Sequence, residues 1–271
     1  IKCKMKDINI YCLSLSDSDY DDIKRKNYIP VGLGDKNFSK GWISDKGKEN
    51  ISFKNPYYGE YTFHYNIWKN NLIQNNEKSW IGFCTYRRFW TQRFENENNF
   101  SLEKDILKTV PDQWKEYDSV LVKPIYTNKT KLSKIIKHGK KIILKNPLLF
   151  FDKSKITIKV HFDMYHGYGN LDKSIDLMHN KDKEDFRKYV DTQVVFNPYN
   201  MFICKNKSIL FNYYSAVFPW LEKCEKIFGF DLGNSYGKKR IYGFLAERFL
   251  SYWFNKYANP ISWPIYFKDI N

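Results

Sequence analysis

The sequence predicts an α/β fold built on a mainly parallel sheet, and three observations lead to this prediction. Short apolar runs bounded by polar residues recur along the chain, which is typical of buried strands. Between them lie segments whose apolar residues recur at helical spacing. The chain has 271 residues, 42% hydrophobic and 18% aromatic, so it can bury a large core. Strands that alternate with helices favour a parallel sheet.

The first half of the chain supplies three predicted strands, at residues 7–13, 80–84 and 117–122. Residues 28–34 include a proline and two glycines, so this segment can cross a surface but cannot be a helix. Residues 58–72 follow an Asn-Pro turn and carry aromatic side chains at spacings of three and four, which predicts an amphipathic helix.

The second half supplies two predicted strands, at residues 141–144 and 200–204, and two closing helices, at residues 209–228 and 240–257. The lysine-rich stretch 127–155 is weakly patterned. It predicts an insertion or lid between the two halves of the fold.

Charge alone does not select a partner. The formal net charge is +15, which is compatible with nucleic acid. Lysine is spread over the whole chain, however, and short charge runs are usually solvated faces. A basic surface also suits an acidic lipid headgroup or a diphosphate.

The spacing of the cysteines and the length of the apolar runs indicate the cellular compartment. The five cysteines include no C-x-x-C pair, so we expect reduced, mostly buried thiols rather than disulfides or a zinc site. No apolar run reaches about 18 residues, and no signal peptide precedes residue 7. We therefore expect a soluble, cytoplasmic protein, and because the chain begins at Ile1 we expect further domains of the same polypeptide.

Polar residues that follow a strand are the first candidates for chemistry, because ligands of open α/β sheets bind beyond the carboxyl ends of strands. Thr85, Tyr86, Arg87 and Arg88 follow the predicted strand 80–84. Two adjacent arginines would be awkward within a sheet, and at its end they present forked donors that suit a diphosphate. The alternative is an arginine pair that bridges to surface carboxylates.

Small polar residues stand just ahead of the helix predicted at 58–72. Asn50, Asn55 and Glu60 are candidates for lining a donor site. The alternative is structural, with Asn55 as the N-terminal cap of the helix and Glu60 as a first-turn acid favoured by the helix dipole.

Residues 161–176 concentrate two histidines, three aspartates and two tyrosines in a stretch that is too irregular for a long helix. Such a loop can supply a general base, with Asp172 and His166 as candidates, and rings that stack on a sugar. His161, Asp163 and His166 are spaced unlike any specific metal site.

Arg240, Glu247 and Arg248 lie on the last predicted helix. Glu247 is a candidate catalytic carboxylate, with Arg240 as the residue that orients it. The alternative is a structural ion pair, since a glutamate buried among aromatic residues needs an arginine partner.

The order of these motifs resembles that of a known bacterial family. The blocks are Asn50-Ile51-Ser52-Phe53-Lys54-Asn55, Tyr58-Gly59-Glu60, Trp68-Lys69-Asn70, Ile81 to Arg88, Asn200-Met201-Phe202-Ile203 and Arg240-x-x-Gly243-Phe244-x-x-Glu247-Arg248. They are similar to a family first catalogued as a domain of unknown function and associated with glycosyltransferases of capsular polysaccharide and lipopolysaccharide. One departure is Thr85, where the family commonly has histidine.

The resemblance implies a GT-A-like fold, in which a Rossmann-type nucleotide-binding sheet merges with an acceptor-binding half. It divides the chain into a nucleotide-sugar half at 1–126, the insertion or lid at 127–155, and an acceptor half with closing helices at 156–271. Many GT-A enzymes bind Mn²⁺ or Mg²⁺ through an Asp-x-Asp motif at a central strand end. The motif Asp17-Ser18-Asp19 follows the first strand instead, and we therefore expect Arg87 and Arg88 to take over part of the charge neutralisation.

The implied reaction moves a sugar from a nucleotide-diphosphate sugar, with a UDP-sugar as the favoured donor, to an oligosaccharide or polysaccharide acceptor. The acceptor can be lipid-linked, which would place the protein peripherally on the inner face of the cytoplasmic membrane. We expect the acceptor to contact His161, Tyr165, Asn200 and Arg240. The sequence leaves open the sugar, the linkage, metal dependence and whether the reaction inverts or retains.

Two other functions remain as alternatives. A non-catalytic nucleic-acid-binding protein would interleave basic and aromatic residues on one face, and the scattered lysines speak against it. A glycoside hydrolase needs two acids facing one sugar, and Glu60 with Glu247 is the pair that the sequence offers.

Overall fold

The structure is a computed structural model that describes residues 7–73, 79–94, 101, 104–145 and 147–268. The chain forms two compact units. Unit 1 comprises Ile1–Lys123, Met201–Ser215 and Phe254–Asn271, and unit 2 comprises Pro124–Asn200 and Ala216–Trp253. Each unit is therefore built from separate stretches of sequence.

The strands fall in both halves of the chain. In order they are β1 Ile8–Ser14, β2 Ile29–Gly32, β3 Ile43–Ser44, β4 Trp80–Thr85, β5 Arg88–Trp90, β6 Ser119–Val122, β7 Ile125–Tyr126, β8 Val195–Phe196, β9 Phe202–Cys204, β10 Pro260–Trp263 and β11 Ile265–Phe267.

The helices are mostly short, with two long ones near the end of the chain. In order they are α1 Tyr20–Arg25, α2 Asn55–Tyr58, α3 Tyr61–Asn70, α4 Leu132–His138, α5 Lys140–Lys145, α6 Leu148–Phe151, α7 Ile158–His166, α8 Asn170–Asp176, α9 Asn180–Thr192, α10 Lys207–Phe228, α11 Tyr236–Lys239 and α12 Ile241–Tyr257.

The sheet of unit 1 is parallel at its centre. Its main path runs β10-β6-β9-β4-β1-β2-β3. The neighbours β3, β2, β1 and β4 are parallel to one another, and β10 is parallel to β6. β9 lies antiparallel between β4 and β6, and β5 pairs antiparallel with β4 and β11. The predicted α/β class with a mostly parallel central sheet is confirmed.

Strand β1 is buried on both faces, as its continuous apolar run predicts. Ile8, Ile10 and Cys12 join the core cluster on one face. On the other face the ring of Tyr11 lies 5.7 Å from that of Phe63 in α3. The sheet therefore packs α3 against the face opposite to that core.

Two predicted elements differ in the structure. Residues 141–144 are part of helix α5 rather than a strand. A run of three apolar residues after a lysine is too short to distinguish the two elements. Residues 161–176 are not an irregular loop but α7 and α8, separated at Gly167 and Gly169, whose φ angles are +102° and +76°. The side chain of Thr157 caps the start of α7 by accepting a hydrogen bond from the backbone N–H of Val160.

Unit 2 is held by helices that pack around aromatic rings. Phe186 of α9 makes edge contacts with Trp220 and Phe249, with ring centroids 5.9 and 5.5 Å apart. The indole N–H of Trp220 donates to the carbonyl of Ser174 at 2.7 Å. These contacts give unit 2 its own core.

Four cysteines in the described ranges, Cys12, Cys84, Cys204 and Cys224, are buried thiols without a disulfide, which confirms the predicted state for these positions; Cys3 lies outside the described residues. No helix in the described part of the chain has the length and apolar character needed to cross a bilayer.

Candidate functional site

The carboxyl ends of β1, β2, β3 and β4 lie side by side in unit 1. The register aligns Ser14 with Gly32, Gly32 with Ser44, and Leu13 with Thr85. We call these strand ends, together with Gly34, Asp45, Asn55 and residues 85–88, the carboxyl edge. It is the edge at which ligands of open α/β sheets bind.

A buried carboxylate lies at this edge, directly after β3. Asp45 is fully buried, and its Oδ2 accepts hydrogen bonds from the backbone N–H of Gly34 at 3.0 Å and the hydroxyl of Thr62 at 2.6 Å. No hydrogen-bond partner for Oδ1 is present in the described part of the chain. Burial raises the pKa of this carboxyl. Sequence analysis missed Asp45, since a single polar residue after a two-residue strand produces no pattern.

Asn55 connects to the same carboxylate through Thr62. Its Nδ2 donates to the hydroxyl of Thr62 at 3.3 Å and to the carbonyl of Gly59 at 2.9 Å. Asn55 is itself the first residue of α2. Its predicted role as the N-terminal cap of the helix at 58–72 is wrong, because the N-cap residue of α3 is Glu60. At Gly34, whose φ is +73°, a Cβ would lie only 3.3 Å from that of Asn55, so the glycine permits this close approach.

Asn50 has a local structural role. Its Oδ1 accepts hydrogen bonds from the N–H and the hydroxyl of Ser52, at 3.2 and 2.9 Å, and its Nδ2 donates to the carbonyl of Gly47 at 2.7 Å. These bonds define a turn ahead of α2. Glu60 immediately precedes α3 and is half-buried.

Residues 85–88 form a tight turn between β4 and β5. Thr85 pairs with Arg88 across this turn, and the backbone N–H of Tyr86 donates to the carbonyl of Leu13 at 3.1 Å. The prediction that both arginines lie beyond a strand end is correct for Arg87 only. Arg88 is the first residue of β5, and its guanidinium lies 5.2 Å from the ring centre of Phe267.

Arg87 is exposed at the tip of the turn, with its guanidinium 5.0 Å from the ring centre of Tyr86. It makes no ion pair with a carboxylate among the residues that the structure describes, so the alternative of a surface bridge does not hold for Arg87. The buried hydroxyl of Thr85 also has no hydrogen-bond partner within the described ranges. The turn thus presents one exposed cation, Arg87, that is available to a ligand.

The Asp-x-Asp motif lies at the same edge but is bonded internally. Asp17 accepts hydrogen bonds from the N–H and the hydroxyl of Ser39, at 2.8 and 2.9 Å, and Asp19 accepts one from the hydroxyl of Ser14. The described ranges contain no group of three or more His, Cys, Asp or Glu side chains arranged to hold a metal. This donor set does not fit the Mn²⁺ or Mg²⁺ of an Asp-x-Asp enzyme.

In unit 2, helix α7 carries three of the predicted acceptor-side residues. His166 is 4% exposed, stacks on Phe244 at 4.0 Å between ring centroids, and donates from Nδ1 to the carbonyl of Gly237 at 2.9 Å. Burial lowers the pKa of His166 well below its usual value. This environment is that of a neutral core histidine, which is a weak base. Tyr165 lies between His161 and His138, 4.9 Å from each ring.

Asp172 of α8 is held between two cations. Its oxygens lie 2.8 Å from Nζ of Lys159 and 3.1 Å from Nη1 of Arg187. Asp163 of α7 is 8% exposed and accepts a hydrogen bond from the N–H of Gly169 at 3.1 Å. Desolvation raises the pKa of Asp163 to about 6, which is the range of a general base. Sequence analysis considered Asp163 only as a metal ligand.

Glu247 of α12 forms an internal ion pair, but its partner is Arg248. Oε2 accepts a hydrogen bond from Nη1 of Arg248, and Oε1 accepts one from the backbone N–H of Tyr199 at 2.6 Å. Tyr199 and Asn200 have φ angles of +77° and +53°, a strained conformation for residues with a Cβ. The predicted orientation of Glu247 by Arg240 is replaced by this pair, and Glu247 anchors a strained turn.

The other predicted acceptor-side residues are His161, Asn200 and Arg240. The guanidinium of Arg248 lies 3.9 Å from the ring centre of Phe196, and its Nη2 donates to Nδ1 of His161 at 3.4 Å. Burial lowers the pKa of His161 to about 3. Asn200 donates to the carbonyl of Gly243 at 3.1 Å. Arg240 precedes α12, is half-buried, and donates to the hydroxyl of Tyr236 at 2.7 Å.

Unit 1 is an α/β fold whose central strands are mostly parallel and end together at the carboxyl edge. The chain is similar to the apo structure of the WbbM bifunctional glycosyltransferase, with a TM-score of 0.71 and 20% sequence identity over 98% of this chain. This chain spans 46% of that protein. The mannosyltransferase Ktr4p from S. cerevisiae matches at 10% identity and a TM-score of 0.30, over 82% of this chain and 61% of its own. The sequence matches no curated protein.

The chain belongs to the family described as a domain of unknown function, DUF4422, which matches residues 11–259. The family expected from the order of the motifs is thereby confirmed. The similarity to WbbM establishes the fold.

Proposed function

We propose that the chain is a glycosyltransferase domain that moves a sugar from a nucleotide-diphosphate sugar to a bacterial surface glycan, either capsule or lipopolysaccharide. The observation that carries the proposal is Arg87, an exposed arginine without a carboxylate partner in the described ranges, at the carboxyl edge of a parallel sheet. The family and the fold shared with WbbM support it. The favoured donor is a UDP-sugar.

In this proposal the donor binds along the carboxyl edge of unit 1. Arg87 and Arg88 contact the diphosphate, since a guanidinium binds two phosphate oxygens at once. Their charge stabilises the nucleoside diphosphate as the sugar leaves. The edge beneath the donor is held by the hydrogen bonds of Gly34, Asp45 and Asn55 described above. No step requires a metal ion.

The acceptor side is proposed for unit 2. An inverting reaction needs one base within hydrogen-bond reach of the acceptor hydroxyl. Two carboxylates suit this role. Asp163 has a raised pKa, and Asp172 is partly exposed beside its ion-pair partner Lys159. His166 is the weaker candidate because it is buried and because burial lowers its pKa well below the usual value, which makes it a weak base. The acceptor can be lipid-linked, with the protein peripheral on the membrane.

The hydrolase alternative is disfavoured by the environment of one acid. A glycoside hydrolase needs two available carboxylates. Both oxygens of Glu247 already accept hydrogen bonds, from Tyr199 and Arg248. A pair that includes Glu247 would therefore lack an available nucleophile or base.

Calorimetric titration with UDP, GDP and UDP-sugars, in Mn²⁺ and in EDTA, tests the proposal. We expect binding of a nucleoside diphosphate in EDTA and a loss of affinity of at least tenfold in Arg87→Ala, because a charge-assisted contact to phosphate is removed. Arg25→Ala is the matched control, since Arg25 is an exposed arginine of unit 1 away from the edge. The absence of binding to every nucleotide, or equal losses in the two variants, would contradict the donor site.

A further inference from the structure

The lysine-rich segment, residues 131–145 and 147–151, contains the three short helices α4, α5 and α6. Each helix places one aliphatic side chain inside unit 2. Ile135, Ile142 and Leu149 form a small cluster with Ile156 and Met164. The segment is therefore attached to unit 2 by a core of its own.

The same helices leave other large apolar side chains in solvent. Leu144 is 82% exposed, Leu148 57%, Phe151 83% and Ile136 46%. A scattered exposed leucine is ordinary, but several within a few turns of chain mark an interaction surface. Burial of the inward-facing residues shows that this exposure does not arise from a lack of packing in the segment.

The charge of the segment has one sign. Its exposed lysines are Lys131, Lys134, Lys137, Lys140 and Lys145. From residue 119 to residue 151 the sequence contains no Asp or Glu, although the whole chain has 30 among 271 residues. Nζ of Lys145 lies 3.9 Å from the ring centre of the exposed Tyr168, which adds an aromatic side chain of the type enriched at membrane interfaces.

We propose that the lysine-rich segment docks on an anionic lipid bilayer. Lysines are attracted to anionic headgroups, and aliphatic side chains beside them enter the acyl boundary. The bilayer would then contact both the lysines and the exposed apolar side chains of the segment. A nucleic acid offers phosphates but no apolar phase for Leu144 and Leu148, and an acidic protein face would leave the same side chains without a partner.

Such docking extends the proposed function, because a lipid-linked acceptor is presented at a membrane. Docking requires the lysine-rich segment and an anionic lipid, and it does not depend on which sugar is transferred. Binding to the bilayer is measured without a sugar donor. A failure of docking and a failure of the transferase proposal are therefore distinguishable.

The test is co-sedimentation of the protein with vesicles of phosphatidylglycerol and phosphatidylcholine, compared with vesicles of phosphatidylcholine alone. We expect binding to the anionic vesicles that weakens as salt is raised. Leu144→Asn/Leu148→Asn should reduce the partition coefficient at least tenfold, since several buried methylene groups are lost without a change in charge. Lys137→Gln/Lys140→Gln/Lys145→Gln should reduce it and flatten its salt dependence.

Ile227→Asn is the matched control. Ile227 is a similarly exposed aliphatic residue, 63% exposed, but it lies on α10 outside the segment. It should bind vesicles like the unsubstituted protein, and all variants should bind UDP equally. No binding to anionic vesicles, equal binding to neutral ones, or equal losses in Ile227→Asn and in the leucine variant would overturn the proposal. So would a dimer that the leucine variant dissociates.

Discussion

Replacing Thr62 by valine tests whether the hydrogen-bond chain Asn55–Thr62–Asp45 holds the carboxyl edge. Valine has nearly the shape of threonine but lacks the hydroxyl. Thr62 is fully buried, and its Oγ donates to Asp45 at 2.6 Å and accepts from Asn55 at 3.3 Å. The substitution therefore removes two hydrogen bonds and adds little strain.

The expected loss of stability follows from the hydrogen bonds that Asp45 retains. After Thr62→Val, the buried carboxylate keeps one donor, the N–H of Gly34. A hydrogen bond to a charged group contributes about 1.5–3 kcal/mol and a neutral one about 1 kcal/mol. We expect Thr62→Val to lower the free energy of unfolding by about 2–4 kcal/mol. Thr62→Ser keeps the hydroxyl and loses one methyl group, so we expect a loss of about 1 kcal/mol.

Urea unfolding at pH 8, followed by tryptophan fluorescence, measures the difference. The midpoint should fall further in Thr62→Val than in Thr62→Ser, with the slope unchanged. Under conditions where both variants remain folded, nucleoside diphosphate should bind more weakly to Thr62→Val, because Asn55 loses the hydroxyl that links it to Asp45. Equal midpoints for the valine and serine variants would refute the idea that this bond stabilises the edge.

Two further predictions concern charge inside each unit. Glu247→Gln should lower the free energy of unfolding by about 3 kcal/mol, because Arg248 stays buried without its counter-charge. A large loss of turnover with an unchanged unfolding midpoint would contradict this structural role and indicate that Glu247 acts as a base. Acid should destabilise the protein as pH falls below about 6.5, because unfolded histidines bind protons while burial lowers the pKa of His64 and of His161 to about 3 in the folded state. The slope is at most about 1.4 kcal/mol per pH unit for each histidine, and His64→Gln should reduce it in unfolding curves measured from pH 7 to 5; an unchanged slope would show that His64 is not the group responsible.

The central strands could be predicted because each is a continuous apolar run that packs on both faces. β1 and β4 are examples. The strands β3 and β11, which pair with β2 and β5, are too short to leave a pattern. Residues 141–144 show that a short apolar run does not distinguish the two elements, since Lys-Ile-Ile-Leu fits a strand or a helix. Only tertiary packing, with Ile142 in a local cluster, decides for a helix.

The site could be predicted only in part, for a similar reason. Arg87 was found because a charged residue directly follows a solid apolar run. Asp45 was missed because its importance comes from complete burial and from donors at Gly34 and Thr62, which are distant in sequence. The role of Glu247 depends on a contact with Tyr199, 48 residues earlier. Such contacts produce no local signal in a sequence.

The order of strands in unit 1 also governs when the domain can fold during synthesis. β6 ends at residue 122, but its two neighbours are β9, which begins at residue 202, and β10, which begins at residue 260. A nascent chain therefore holds an apolar strand without partners while more than half of the protein is still to be made. Non-local pairing of this kind is slow and exposes strand edges to aggregation. We expect chains that stop before residue 260 to need chaperone protection, even though they contain every residue of the carboxyl edge.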